Sequence, residues 1–216
     1  MDHVYHQNYP RACFQKNETV KNAIAFFDFD GTITCKDTLF EIVRFQKGNF
    51  NLYLGLIRLS PWLVAMKLGL ITNAAAKEKM LTHFFNDTRL EDFQKKCDQF
   101  IEKALRRLIR RNALEEIKRH LQNDVTVVVV TASAENWVEG WCKKMNLHCI
   151  ATRLEVKDDK ITGKINGKNC NGIEKVNRIK ADFDLSRFDT IFAYGDTKGD
   201  KEMLSLATFP FYKPFH

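Results

Sequence analysis

The stretch AIAFFDFDGT, residues 23–32, decides the fold that we expect for this chain. Its first five residues are apolar, and this short run followed by a glycine predicts a fully buried strand. Asp28 and Asp30 come directly after the strand, on either side of Phe29. Open α/β sheets bind their ligands at the carboxyl ends of their strands, so these two carboxylates are the first candidates for a functional site.

Two later runs have the same form. Residues 125–130 are almost wholly β-branched and lead into Thr131, and residues 190–194 lead through a glycine into Asp196. Helical patterns alternate with these runs, which predicts an α/β fold with a doubly wound, parallel, Rossmann-like sheet. Further strands are expected within 148–156, 161–165 and 207–212.

Residues 36–112 interrupt this alternation, because their patterns are helical throughout. They predict a small helical cap inserted after the first strand, between two parts of a catalytic core, 23–35 and 113–216. Residues 1–22 are expected to form an N-terminal arm, since they have no apolar segment of the kind found in secretory signals. Helix N-caps are expected within the cap at Ser60, at Thr72 and at Asp87 or Thr88.

The cap contains an unusually apolar stretch, residues 52–71. Arg58, Lys67 and the Ser60-Pro61 pair interrupt it, so no run of about 18 apolar residues is available to span a membrane. One interpretation is a buried helical hairpin with a new helix that begins at Pro61. The other is a face that lies on a membrane surface, because Arg, Lys and Trp border the apolar residues.

The net charge of +7 lies entirely in the cap, where residues 36–112 hold 15 Lys and Arg against 8 Asp and Glu. A basic region attracts phosphorylated substrates, anionic lipid surfaces or nucleic acid, although a solvated helix face has the same composition. No basic motif interleaved with aromatic residues is present, so nucleic acid is not expected as a partner. Composition does not decide the oligomeric state.

The six cysteines form no C-x-x-C pair and match no zinc pattern. They are expected to be reduced thiols, which favours a cytoplasmic location, peripheral at the membrane if the apolar stretch contacts lipid.

The three strand ends would bring four carboxylates to one edge of the sheet: Asp28, Asp30, Asp196 and Asp200. Four carboxylates cannot lie close together in a low-dielectric site without a cation. Mg²⁺ is the cofactor that we expect, because it prefers oxygen ligands and keeps waters that a phosphate can replace. The chain has no Gly-x-x-x-x-Gly-Lys-Ser/Thr loop, which disfavours a nucleotide-driven NTPase.

In this order the motifs resemble those of the haloacid dehalogenase superfamily, from about Ala23 to the end of the chain. The insertion is similar to the small cap of its phosphoserine-phosphatase-like branch, subfamily IB. The matching positions are Asp28-x-Asp30-x-Thr32, a strand ending in Thr131, a lysine that is either Lys175 or Lys180, and the pair Asp196 and Asp200.

The resemblance implies a hydrolase that acts on phosphoric monoesters through an aspartyl-phosphate. Asp28 would be the nucleophile and Asp30 the general acid and base. Thr131, Ala132 and Lys175 would bind the phosphoryl group. The Mg²⁺ ligands would come from Asp28, Asp30, Asp196 and Asp200, with Asp30 contributing its main-chain carbonyl.

The resemblance leaves the substrate open. Asp37 lies where phosphoserine phosphatases have an acidic residue that reads the substrate's amino group, although it could equally cap the first cap helix. The run Thr131-Ala132-Ser133 departs from the Ser-Gly-Gly of those enzymes. A small phosphorylated metabolite similar to phosphoserine is the first expectation, and a lipid head-group phosphate of the phosphatidylglycerophosphate type is the second. A phosphotransferase or mutase, or a binding protein without turnover, remains an alternative on the same residues.

Overall fold

The structure is a computed structural model that describes residues 22–216, and it has the predicted α/β fold. In chain order its strands are β1 (Ala23–Phe27), β2 (Thr88–Arg89), β3 (Thr126–Ala134), β4 (His148–Thr152), β5 (Leu154–Lys157), β6 (Lys160–Ile165), β7 (Thr190–Gly195) and β8 (Phe209–Tyr212). Its helices are α1 (Thr38–Lys67), α2 (Asn73–Phe85), α3 (Leu90–Lys103), α4 (Arg111–Gln122), α5 (Glu139–Lys144), α6 (Ile173–Asp182) and α7 (Lys201–Leu204).

The central sheet is parallel and has the order β4-β3-β1-β7-β8. Every residue of β1 is buried, because helices cover both faces of the sheet. Phe27 at the end of β1 pairs with Val129 of β3 and with Tyr194 of β7. The carboxyl ends of these three strands therefore lie side by side, as predicted, and this edge positions the site.

A second layer consists of α1, α2 and α3 together with a small antiparallel sheet of order β2-β6-β5. The strand expected within 161–165 is present as part of β6, and a hairpin through Asp158 and Asp159 joins it to β5. Thr72 caps α2 as predicted, because its hydroxyl accepts a hydrogen bond from Ala75 N at 3.1 Å. The division into core and cap at residues 36 and 112 remains a prediction.

The expectation of a helix that begins at Pro61 is wrong. Helix α1 runs through Pro61, and its break lies instead at Gly48, whose φ of +82° is outside the helical range. A proline removes one N–H donor from a helix and leaves a carbonyl four residues earlier without its bond. Here the Ser60 hydroxyl donates to that carbonyl, Ile57 O, at 2.8 Å, which compensates for the missing bond.

The insertion is also not helical throughout, because Thr88 and Arg89 form β2 and pair with Ile161 and Lys160 of β6. Neither Asp87 nor Thr88 caps α3. The first N–H of that helix, on Leu90, donates to the carbonyl of Asp159 at 2.8 Å. This arrangement depends on a hairpin that lies far later in the chain, which local patterns do not reveal.

Within residues 22–216, no helix is both long and apolar enough to cross a membrane. The expected N-terminal arm lies outside the described residues, apart from Asn22. All five cysteines in the described part of the chain are free thiols.

Candidate active site

The proposed nucleophile, Asp28, lies at the first position after β1. Its backbone N–H donates to Tyr194 O at 2.9 Å, which extends the β1–β7 pairing by one residue and fixes the direction of the side chain. The residue is buried beneath the cleft that separates the sheet edge from the cap. A carboxylate at this position can be reached only by a group that enters the cleft.

Lys175 of α6 connects two carboxylates below the cleft. Its Nζ lies 2.5 Å from Asp28 Oδ1 and 2.7 Å from Asp200 Oδ1, and the lysine is only 1% exposed. Lys180, the other candidate lysine, is exposed on the same helix. Lys175 is the lysine next to the proposed nucleophile.

The second oxygen of Asp200 is held from the loop after β7. It accepts hydrogen bonds from Asp196 N at 3.1 Å, from Thr197 N at 2.9 Å and from Thr197 Oγ1 at 2.8 Å. Since Lys175 occupies the other oxygen, Asp200 is committed to protein donors on both sides. Asp200 could support a metal ion bound by its neighbours, but it is poorly placed to be a direct ligand.

The pKa values of the carboxyl groups in this cluster are shifted in opposite directions. Burial raises the pKa of Asp28 to about 8, against the lowering effect of Lys175. Burial also acts on Asp200, but Lys175 and the Thr197 donors outweigh it and hold the pKa of that carboxyl below its usual range. For Lys175, burial disfavours the charged form, yet the two carboxylates keep its pKa above the ordinary value.

Carboxylate oxygens of Asp28, Asp196 and Asp200 all lie within 4.8 Å of one another. Burial raises the pKa of Asp196 as well, although the Thr32 hydroxyl donates to it at 3.1 Å. If Asp28 and Asp196 are both ionised beside Asp200, the single positive charge of Lys175 does not balance the three negative charges. A hard divalent cation with oxygen ligands fits this set, with Asp28 and Asp196 in direct contact and Asp200 in support.

Gly31 allows the loop after β1 to approach this pair. Its φ is +85°, and a Cβ at this position would lie 2.3 Å from Asp196 Oδ2. Any side chain would therefore push the loop away from Asp196. The glycine of the DFDGT motif is needed for the close approach of the two loops.

Asp30 faces the cleft beside Asp28, and both of its oxygens accept hydrogen bonds. Thr38 N donates to Oδ1 at 2.7 Å, and Ser133 Oγ donates to Oδ2 at 2.5 Å. Asp30 is half-buried, so its carboxyl group remains accessible from the cleft.

The predicted phosphate-binding residues of β3 also border the cleft. The Thr131 hydroxyl accepts from Ser133 N at 2.9 Å, which shapes the end of the strand. Ala132 O accepts a hydrogen bond from Lys77 Nζ at 2.8 Å. Thr131 and Ala132 thus border the same cleft as Asp28 and Asp30.

Asp37 serves as the N-cap of α1, with Oδ1 accepting from Leu39 N at 2.9 Å, and it also borders the cleft. The capping role is therefore observed, whereas contact of Asp37 with a substrate's amino group stays a prediction. Burial raises the pKa of its carboxyl to about 6, with a contribution from nearby Asp30.

The family profile of the haloacid dehalogenase-like hydrolases matches residues 25–205. The chain belongs to this family. It is 31% identical over 191 residues to Protein CicA of Caulobacter vibrioides, covering 88% of this chain and 85% of that protein. It is 28% identical over 195 residues to the phosphoserine phosphatase of Methanocaldococcus jannaschii, covering 87% and 83%. The prediction of this hydrolase family is confirmed.

Solved structures agree with the haloacid dehalogenase-like fold. A Bordetella pertussis protein of unknown function is similar with a TM-score of 0.74 at 21% identity, and the match covers 87% of each chain. A substrate-bound phosphoserine phosphatase is similar with a TM-score of 0.58 at 22% identity, covering 87% of this chain and 83% of that one. At these identities the likeness shows the fold, and the predicted fold class is confirmed.

Sequence reasoning missed several residues of this haloacid dehalogenase-like site. Lys77 of α2 reaches the cleft from the cap, and Arg110, Asn171 and His216 also border it. Nothing in the local sequence marks these positions, since each is brought there by tertiary packing. Ser133 could have been found, because residues two apart on a strand share a face and Thr131 is itself a candidate.

Proposed function

We propose that this protein is a Mg²⁺-dependent phosphomonoesterase in which Asp28 accepts the phosphoryl group. The observation that carries this proposal is the cluster of Asp28, Asp196 and Asp200 at one sheet edge, with buried Lys175 bridging Asp28 and Asp200. A plain structural ion pair needs no third carboxylate beside an open cleft. Membership of a hydrolase family supports the same reaction class.

In the first step, an Asp28 oxygen attacks phosphorus, and the bond between phosphorus and the ester oxygen breaks. Asp30 gives its proton to the departing oxygen, so an alcohol leaves. In the second step, Asp30 takes a proton from water, the water oxygen attacks phosphorus, and the bond to Asp28 breaks. Inorganic phosphate leaves, and both aspartates return to their starting forms.

Other groups of the chain hold the phosphoryl group and balance its charge. Lys175 stays cationic beside Asp28 and opposes the repulsion between that carboxylate and the phosphoryl oxygens. Thr131 and Ala132 at the end of β3 border the same cleft. Mg²⁺, held by Asp28, the main-chain carbonyl of Asp30 and Asp196, would neutralise charge on the phosphoryl group.

The proposed substrate class is a small phosphorylated metabolite similar to phosphoserine. The charged side chains that border the cleft include an anion, Asp37, which caps helix α1, and a cation, Lys77, which lies on helix α2. Burial lowers the pKa of Lys77, but Asp30 and Asp37 act against this effect. Such a pair suits a substrate that carries an amino group and an acidic group, and a relative is a phosphoserine phosphatase.

The test is hydrolysis of a panel of phosphate esters by the purified protein with Mg²⁺, measured as released inorganic phosphate. We expect turnover of at least one small ester, and none by Asp28→Asn, whose side chain is nearly isosteric. Transfer of phosphate to an added alcohol without release would indicate a phosphotransferase. Equal activity of wild type and Asp28→Asn would contradict the proposal.

A second candidate is a phosphatase of lipid head groups that works at an anionic membrane surface. Helix α1 and its C-cap carry exposed apolar side chains at helical spacing, which we name the apolar stripe: Phe50, Tyr53, Ile57, Val64 and Leu68. The opposite face of the helix is buried through residues such as Leu52 and Leu59. The stripe is therefore an additional apolar surface beyond the one that packs in the core.

Charge favours an anionic lipid surface over a second copy of the chain as the partner of the stripe. Residues 50–68, which contain the stripe, include Arg58 and Lys67 and no Asp or Glu. Two copies facing each other through this surface would bring like charges together, whereas an anionic bilayer would attract them. The proposed cytoplasmic location would then be peripheral at the membrane.

Sedimentation with vesicles tests this candidate. We expect binding to phosphatidylglycerol vesicles and weak binding to phosphatidylcholine vesicles, with Ile57→Asn reducing the bound fraction. Ile173→Asn is the matched control, because Ile173 is a similarly exposed isoleucine outside the stripe, at 61% against 70% for Ile57. No binding to anionic vesicles, or equal loss in both variants, would count against a lipid substrate.

A further inference from the structure

We propose that a hydrogen-bonded chain of Trp137, Thr38 and Ser133 positions Asp30 for proton transfer, an inference that rests on the proposed phosphatase function. The chain runs from Trp137 Nε1 to Thr38 Oγ1 at 3.0 Å, from Thr38 Oγ1 to Ser133 Oγ at 3.0 Å, and from Ser133 Oγ to Asp30 Oδ2 at 2.5 Å. These three are positioning residues, because none faces the reacting atoms as directly as Asp30 does.

The direction of donation along these hydrogen bonds follows from the groups at the two ends, Trp137 and Asp30. An indole N–H can only donate, so Thr38 Oγ1 accepts from Trp137. The ionised form of Asp30, which takes a proton from water in the second step, can only accept, so in that form Ser133 donates its hydrogen to Asp30. The hydrogen of Thr38 is then left to bond Ser133. Each hydroxyl accepts one hydrogen bond and donates one, and the chain ends with a hydrogen aimed at Asp30.

The chain is buried and draws on different parts of the fold. Thr38 is the first residue of α1, Ser133 lies at the end of β3, and Trp137 lies in the short turn that follows. All three side chains are almost inaccessible to solvent. Because Thr38 also donates its backbone N–H to the other oxygen of Asp30, the carboxylate is fixed on both sides by residues that water cannot replace.

This arrangement makes the orientation of Asp30 depend on the start of the cap. A movement of α1 would shift Thr38 and both of its contacts to Asp30, one through the backbone and one through Ser133.

Leaving-group dependence distinguishes this role from mere packing. Nitrophenolate departs without a proton, whereas an alkoxide must be protonated by Asp30 as it leaves. We therefore compare kcat/KM for O-phosphoserine, or the best alkyl phosphate of the panel, with kcat/KM for 4-nitrophenyl phosphate. This parameter reports the first chemical step for both esters.

Ser133→Ala and Thr38→Val should each lower kcat/KM for the alkyl ester by about 10- to 100-fold. The same variants should change the aryl ester by less than about threefold. Thr38→Ser keeps the hydroxyl, and it should retain the wild-type ratio. The Thr38 pair is a matched control, because valine keeps the shape of threonine while serine keeps its chemistry.

If kcat/KM in Ser133→Ala falls equally for both esters, so that their ratio is unchanged, the proposal is overturned. If Thr38→Val does not fold, Ser133→Ala decides alone. A wild-type protein that hydrolyses neither ester would instead overturn the proposed function, and the positioning role with it.

Discussion

Two regions, the edge of the parallel sheet and the outer face of α1, have side-chain burial that is unusual in opposite ways. At the sheet edge, Asp28, Lys175 and Asp200 bury charged groups that usually face water. On α1, the apolar stripe exposes side chains that usually face the core. Each departure costs stability in isolation, which makes both regions candidates for function.

The two regions differ in which contacts offset this cost in stability. The buried charges are compensated within the chain, by the bonds of Lys175 to two carboxylates and of Thr197 to Asp200. The apolar stripe has its large side chains exposed, so any compensation must come from a partner. The proposed chemistry therefore depends on contacts within the chain, whereas the proposed location at a membrane depends on a partner of the apolar stripe.

The largest effect is expected from breaking the buried cluster. Lys175→Met should lower kcat by about 10²- to 10³-fold, because it removes the cation beside the proposed nucleophile. Lys180→Met, five residues later on the same helix but exposed, should leave kcat unchanged. Steady-state rates and circular dichroism of both variants check this, and equal rates would show that the buried lysine has no catalytic importance.

The second effect contrasts the two faces of α1. Leu52 is 1% exposed and Ile57 is 70% exposed, only five residues apart. Leu52→Ala should lower the free energy of unfolding by about 2–5 kcal/mol, because it leaves a cavity. Ile57→Ala should change it by less than about 0.5 kcal/mol. Urea unfolding of both variants measures this, and a large loss in Ile57→Ala would show that the stripe is packed against the protein.

The third effect is a pH dependence of the metal-free protein. The folded pKa of Asp28 is about 8, above that of an unfolded aspartate, so folding favours the protonated form. Stability from this group is present at low pH and is lost as the pH rises through about 8. The side chain of Asp28→Asn cannot ionise. The free energy of unfolding of this variant minus that of wild type should therefore increase by on the order of 1 kcal/mol for each unit by which the pH rises towards 8.

Unfolding in urea with a chelator at pH 5, 6, 7 and 8 checks this prediction. The difference between the two proteins isolates Asp28 from other titrating groups. Parallel pH profiles would mean that Asp28 is already ionised in the metal-free fold.

Much of the sheet and its site could be predicted from local patterns. Strands β1 and β7 contain apolar runs and are followed by Asp28 and Asp196, and Thr131 comes directly after the valine run of β3, so parallel pairing brings these polar residues to one edge. The strand patterns by themselves therefore place Asp28, Thr131 and Asp196 together. The choice of Lys175 over Lys180 depends on the orientation of α6, which its sequence does not reveal.

The remaining features depend on contacts between distant parts of the chain. Lys77 reaches the cleft because α2 packs over the end of β3, and its sequence context is that of any helical lysine. Pro61 suggests a helix start because proline favours the first position of a helix. That rule fails here because the Ser60 hydroxyl donates to Ile57 O and lets the helix continue through Pro61. Ser133 is the intermediate case, since the sequence indicates its position but not its bond to Asp30.

The most direct test of the central claim is to locate the phosphoryl group during turnover. A radiolabelled phosphate ester is mixed with the protein and Mg²⁺, the reaction is stopped with acid, and the labelled peptide is identified by mass spectrometry. The account predicts one phosphoryl group on Asp28 and none in Asp28→Asn. Label on any other residue, or wild-type turnover by Asp28→Asn, would contradict it.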